Sequence, residues 1–396
     1  MTPTGVTPAM PQMKTSADLR VHNQTRLLRA VHDADQPLTR ASAARVLGIG
    51  RNTIAALVGE LETAGLLHEV PAATTGRGRP TTLLLPHPRG PVAFAADIRE
   101  DSWTLAQIEL GGRLTGLETG EHDRTPAVFD DIRRATRRHA TDRLVSLGIA
   151  LAGPILDGRR LHISHLGWDE VDLYEQIGDD WPPTVVVDND ARLAGLAEAR
   201  RGALRGAGTA LHFHIDFDIG GTLLLGGHTQ RGAHNIAGEF GHMPLTGGSG
   251  LRCMCGVQGC WSLDVGTNAL LRRFGREPGY GAGRQLGREI LARAEAGEAE
   301  AGRAVDDNAV ALGRGLGALA NALDPEAITL SGLGVELIRL RRDLIEHACA
   351  EGLMEFRRAQ PPRILAGTVG EAGPLRGAAE TAFDAVLSAG WLRGRI

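Results

Sequence analysis

Ala237-Gly238-Glu239-Phe240-Gly241-His242, then a flexible Gly247-Gly248-Ser249-Gly250 segment, then Cys253-Met254-Cys255-Gly256-Val257-Gln258-Gly259-Cys260-Trp261: the reading of this chain turns on that stretch. The chain holds four cysteines, and three of them, Cys253, Cys255 and Cys260, fall within eight residues. With His242 they supply three thiolates and one imidazole. That donor set is the one a structural zinc ion favours, with no position left open for water. Cysteines used as small hydrophobes have no reason to gather in a glycine-rich loop, and three clustered thiols cannot pair off into disulfides. One Zn2+ per chain, held by His242, Cys253, Cys255 and Cys260, is therefore expected. Cys349 shares an apolar helical pattern with Leu337, Leu344 and Ile345 and reads as a core residue.

At 396 residues the chain can hold two or three domains and bury a substantial core. Its net charge of −4 is unevenly spread. Residues 1–86 carry nine Lys/Arg against six Asp/Glu, and the remainder carries 34 against 41. A basic head on an acidic body points to nucleic-acid contact confined to the head. Residues 1–19, rich in Pro, Thr and Met, are expected to be disordered. No charged start leads into an apolar segment, and no apolar run approaches about 18 residues, so a cytoplasmic protein is expected.

Residues 20–86 show three helical patterns and two strands. Leu27, Leu28 and Val31 mark the first helix. Thr39 can cap a second over Arg40 to Leu47, which Gly48 ends. The third runs from about Arg51 to Ala64, with Ile54, Leu57, Val58 and Leu61 at helical spacing. Leu66 to Val70 and Thr82 to Leu85 read as strands flanking a Gly-Arg-Gly-Arg-Pro tip. Three helices followed by a β-hairpin make a winged helix-turn-helix. Its third helix would present Arg51, Asn52 and Thr53 to the major groove. Arg77 and Arg79, on the wing tip, suit the negative potential of a minor groove. Strands then alternate with helices to the end of the chain, which argues for α/β architecture.

The same order of motifs resembles the ROK family: a winged helix, Asp97-Ile98-x-x-Asp101, Val187-Asp188-Asn189-Asp190-Ala191, Ala237 to His242, and Cys-x-Cys-Gly-x-x-Gly-Cys. The resemblance spans roughly residues 20 to 390. It implies a two-lobed, actin-like (ribonuclease-H-like) body with a ligand cleft between the lobes. Lobe 1 would take residues 91–200 with a C-terminal helix over 373–389. Lobe 2 would take residues 201–372, zinc loop included. In the family's kinases the residues matching Asn189 and Asp190 bind the sugar and deprotonate its hydroxyl, and those matching Glu239 and His242 contact the sugar. His242 would then use one ring nitrogen for zinc and leave the other for the ligand. His165 occupies a place where repressors of this type often have asparagine. Ser262 stands where the family usually places a sugar-binding glutamate, a departure from the family's ligand site.

Kinases of this fold cradle ATP phosphates in two glycine-rich hairpins, where backbone amides approach closely only if side chains are absent. The first here reads Asp97-Ile98-Arg99-Glu100-Asp101, without glycine. The second reads Asp218-Ile219-Gly220-Gly221-Thr222, and carboxylates at its mouth are expected to repel ATP. His212, His214, Asp216 and Asp218 alternate along the preceding strand and share one face, either to meet solvent and one another or to bind a cation or amino sugar. The reading is a non-enzymatic, sugar-responsive transcriptional regulator, a repressor rather than an activator. It would bind operator DNA and a sugar or sugar-derivative effector as a homodimer, with a tetramer as the alternative. An active sugar kinase carrying a DNA-binding head and a ligand-independent DNA-binding protein are the competing readings.

Overall fold

A computed structural model describes residues 15–72, 82–178, 181–245, 251–277, 279 and 282–395. The chain divides into two compact units. One comprises Met1–Val92, Glu109–Arg113 and Phe383–Ile396, the other Ala93–Ile108 and Leu114–Ala382.

The first unit is built on three helices, α1 (Ser16–Asp33), α2 (Arg40–Leu47) and α3 (Arg51–Thr63). Strand β1 (Leu38–Thr39) joins β2 (Leu67–Pro71) and β3 (Thr82–Pro86) in a sheet of order β1-β3-β2. Helix α1 starts at Ser16, so residues 16–19, expected to be disordered, are helical, capped by the Thr15 side chain. Thr39 and Ser42 form a capping box at the start of α2, and Gly48 ends it in the left-handed region at φ 67°. Leu27, Leu28, Ile54, Val58 and Leu61 fill the core, each at 0–1% exposure. This is the helix periodicity of the sequence cashed out as burial.

The end of the chain belongs to this unit as well. Phe383 stacks on His32, ring centroids 4.8 Å apart and planes 5° from parallel. His32 Nδ1 accepts from the Gly111 amide at 3.2 Å. Arg29 pairs with Asp384 and Arg393 with Asp18, each at 2.5 Å. The expected helix over 373–389 is two helices in the structure, α11 (Gly373–Val386) and α12 (Ala389–Arg393), divided where Ser388 caps the second.

The second unit holds two five-stranded sheets. One has the order β11-β7-β4-β5-β6, from β4 (Val92–Ile98), β5 (Ser102–Glu109), β6 (Leu114–Glu121), β7 (Leu144–Leu151) and β11 (Val185–Asn189). Helix α4 (Val128–His139) precedes β7. A small sheet of β8 (Ile155–Leu156), β9 (Arg160–Ile163) and β10 (Trp168–Asp172) follows it, then the short α5 (Leu173–Gln176). The other large sheet has the order β14-β13-β12-β15-β16, from β12 (Thr209–Ile215), β13 (Ile219–Leu225), β14 (His228–Thr229), β15 (Ala327–Gly332) and β16 (Arg363–Ala366). Helix α6 (Asp190–Arg201) links the sheets. After the cysteine-rich segment come α7 (Thr267–Arg273), α8 (Ala282–Glu295), α9 (Ala299–Leu323) and α10 (Leu333–Gly352). Strand β4 is buried at every position, as a strand covered on both faces must be. Cys349 is 2% exposed in the core beneath α9 and α10. Among the described residues, no helix is long and apolar enough to cross a membrane.

Candidate functional site

Arg51, Asn52 and Thr53 form the exposed first turn of α3. The helix is set in place from its other side. Glu60 accepts from Arg20 Nε at 2.9 Å and Gln24 Nε2 at 2.7 Å, and Glu62 accepts from the Glu69 amide at 3.0 Å. Arg77 and Arg79 lie outside the described residues.

Asn189 ends β11 and caps α6. Its Oδ1 accepts from the Arg192 amide at 3.0 Å, and its Nδ2 donates to the Gly153 carbonyl at 3.1 Å. Asp190 follows, its Oδ1 accepting from the Ala191 amide at 2.7 Å. Burial, with Asp97, Glu100 and Asp216 nearby, pushes its carboxyl from the usual 3.8 to about 8. A carboxyl raised on folding holds its proton more tightly in the folded state. Stability therefore falls as pH rises from about 4 toward 8, and the loss is complete above the folded value. Asp190→Asn is expected to melt higher than the parent near pH 8 and to match it near pH 4. Melting temperature against pH checks this, and parallel curves for the two proteins would refute it.

Sequence reasoning missed the group that holds this corner. Arg192, 3% exposed, donates through Nη1 to Asp188 at 2.5 Å and to Asn235 Oδ1 at 3.0 Å. Its Nη2 reaches the Asn235 carbonyl at 2.9 Å. Arg231 completes the cluster on Asp188 at 2.6 Å, and Asn235 Nδ2 donates to the Ile155 carbonyl at 2.8 Å. Arg192 and Asp188 are four apart across the β11–α6 junction, the one signal available in the sequence. The cluster clamps the segment leading into Glu239, whose carboxyl burial pushes up and Arg192 pulls down.

Glu239 and His242 meet, Oε2 to Nε2 at 3.8 Å. The other ring nitrogen, Nδ1, faces Cys253 Sγ at 3.6 Å. Cys255 and Cys260 are 3.6 Å apart, and the four candidate ligand atoms lie within 4.8 Å of one another. The chain thus assembles a Cys3His cluster able to hold a metal ion. Its base is anchored by Trp261, which is buried, donates to the Ala311 carbonyl at 2.8 Å and meets Phe213 edge-on at 5.5 Å. Ser262 is 5% exposed within the same turn. His165 sits in a 3-10 turn over Ser164–Leu166, where burial and the nearby Arg124 push its ring down to about 4, so it is neutral.

The two hairpins differ from expectation in a specific way. Asp216 does not face the cleft as a bare carboxylate, because Arg284 of α8 pairs with it through two nitrogens and donates to Glu100 at 3.1 Å. Burial works against the Arg284 charge, and Asp216 and Glu100 more than restore it. Arg99 pairs with Asp97 at 3.0 Å and donates to the Glu371 carbonyl at 3.0 Å. Guanidinium groups thus pair with carboxylates at both hairpin tips. Gly220 and Gly221 serve packing: added Cβ atoms would meet Ala191 at 2.8 Å and Phe213 and Phe240 at 2.9 Å. His212 bonds to Thr329 and Ser331 at 2.9 and 3.1 Å, and His214 to Ser331 at 2.8 Å. The alternating face thus meets the neighbouring strand β15. Asp218, exposed, has the Asn268 amide at 3.4 Å.

Comparison with known proteins matches residues 116–385 to the ROK family. The xylose repressor of Bacillus spizizenii is 24% identical over 327 residues, 79% of this chain and 83% of that protein. A crystal structure of a ROK family transcriptional regulator, a homolog of the E. coli MLC protein, superposes with a TM-score of 0.73 at 22% identity, covering 95% of this chain and 98% of that one. A ROK family glucokinase from Streptomyces griseus, solved with glucose and AMPPNP, gives a TM-score of 0.63 at 26% identity, covering 74% of this chain and 99% of its own.

Proposed function

The chain belongs to the ROK family, and from that premise we propose that it is a sugar-responsive transcriptional repressor. The observation that carries the reading is the exposed Arg51-Asn52-Thr53 turn of a winged helix, on a chain whose hairpin tips hold arginine–carboxylate pairs in place of open glycine cradles. The likeness to a xylose repressor runs over 79% of the chain, which supports the same reading. The glucokinase structure, by contrast, covers 74% of it.

In this reading the head binds operator DNA through Arg51, Asn52 and Thr53, with Arg77 and Arg79 on the wing, as part of a cytoplasmic homodimer. Asn189, Asp190, Glu239, His242 and His165 take the hydroxyls of a sugar or sugar derivative. Zn2+ held by His242 Nδ1, Cys253, Cys255 and Cys260 supplies a fixed cross-link with no open coordination position. The His242 ring is thereby held with Nε2 toward Glu239. Effector binding acts on DNA through a difference in affinity between two arrangements of the dimer.

Gel shifts of the purified chain on its own upstream DNA, with and without a panel of sugars and sugar phosphates, test this. Retarded DNA released by one of them is expected. Absence of binding to that DNA and to every genomic fragment would end the proposal. Asp190 keeps the kinase reading in view, since its raised carboxyl suits a proton acceptor. An ATP-coupled assay over the same panel separates the two: turnover abolished by Asp190→Ala would replace the repressor with a kinase.

A further inference from the structure

Helix α3 carries a glycine that no contact among the described residues calls for. Gly59 lies in its interior, is exposed, and a Cβ built there meets no heavy atom within 4 Å. Its φ lies outside the left-handed region. Glycine in a helix interior costs stability relative to alanine, so neither packing nor backbone conformation accounts for it.

Its surroundings point outward. At helical spacing Gly59 shares a face with Asn52 and Ala56, both exposed. The two carboxylates of α3 are drawn back into the head, Glu60 by Arg20 and Gln24 and Glu62 by the Glu69 amide. The exposed residues of α3 are Arg51, Asn52, Thr53, Ala56, Gly59 and Thr63, with Ala56 and Gly59 slim and no acid among the six. A close-fitting polyanion suits such a face.

We propose that Gly59 is a close-approach residue for duplex DNA: the missing Cβ lets the middle of α3 settle against the sugar-phosphate backbone while Asn52 and Ala56 reach base edges. The inference rests on the DNA-binding reading of the head and adds a residue to it. Gly59 gives up helix stability for proximity, so its replacement by alanine moves stability and affinity in opposite directions.

The test uses duplexes that the wild-type full chain selects from a random pool, titrated at one fixed salt concentration with wild type, Gly59→Ala and Gly59→Leu. Gly59→Ala is expected to melt at or above the wild-type temperature and to bind about tenfold more weakly, with Gly59→Leu weaker again. Wild-type affinity in both variants overturns the proposal and leaves the DNA-binding reading standing. A Gly59→Ala protein that melts lower than wild type also overturns it, because the glycine would then serve the fold. Failure of the wild type to enrich any duplex removes the DNA-binding reading itself, and this inference with it.

Discussion

Asp188→Asn is expected to destabilise the body by about 3–5 kcal/mol, the cost of stranding a buried charge. Asp188 is 2% exposed and Arg192 3%. Without the carboxylate, the Arg192 guanidinium has only neutral acceptors among the described residues, the side chain at 188, the Asn235 side chain and two backbone carbonyls, at Asn235 and Ala237. The converse change is milder. Arg192→Met leaves Asp188 paired with Arg231, whose side chain is 48% exposed and can follow it toward solvent. The order of the two variants, Asp188→Asn the worse, distinguishes a stranded charge from a general loss of packing. Equilibrium urea unfolding of both measures it, and an Asp188→Asn protein within about 1 kcal/mol of wild type would contradict it.

Cys260→Ser is expected to take the metal content from one zinc per chain to none, because each thiolate of a closed four-ligand shell is needed. The cysteine is fully buried and its sulfur lies 3.4 Å from the His242 carbonyl, so the residue at this position also shapes the turn beneath the imidazole. The loss should stay local. Trp261 holds the base of the loop to α9 through its bond to Ala311, and an added Cβ at Gly315 would sit 2.1 Å from the indole, a measure of how closely the two elements are packed. Elemental analysis of freshly purified wild type and of the Cys253→Ser and Cys260→Ser proteins decides the matter. Wild-type protein free of zinc would remove the metal from the account.

What the sequence made legible is what neighbours in the chain decide. Thr39 and Gly48 bound α2 because capping is settled within one turn. The Cys3His set could be read because three of its members lie within eight residues. Asn189 closes a strand and caps a helix, and both follow from local geometry. What stayed hidden are partners joined only by folding. Asn235 is 43 residues from Arg192, and Glu100 is 184 from Arg284. An arginine on a helix reads by itself as a solvated face, so neither guanidinium announced its partner. The partner of Asp216 was hidden for the same reason: its guanidinium arrives from α8, beyond the cysteine-rich loop. Gly220 and Gly221 look like remnants of a phosphate cradle until the side chains packed against them are in view.

The unit that begins with α1 closes on residues from the other end of the chain, Phe383, Asp384 and Arg393. During synthesis α1 to α3 leave the ribosome before Phe383, and the aromatic ring that stacks on His32 does not exist until both large sheets have been made. A chain that stops before Phe383 keeps the three helices of the head but lacks the ring stacked on His32 and the side chains of Asp384 and Arg393 that pair with Arg29 and Asp18. Helices α1 to α3 are thus completed only after the sheets that follow them have been translated, and the integrity of this unit reports that those sheets have been made.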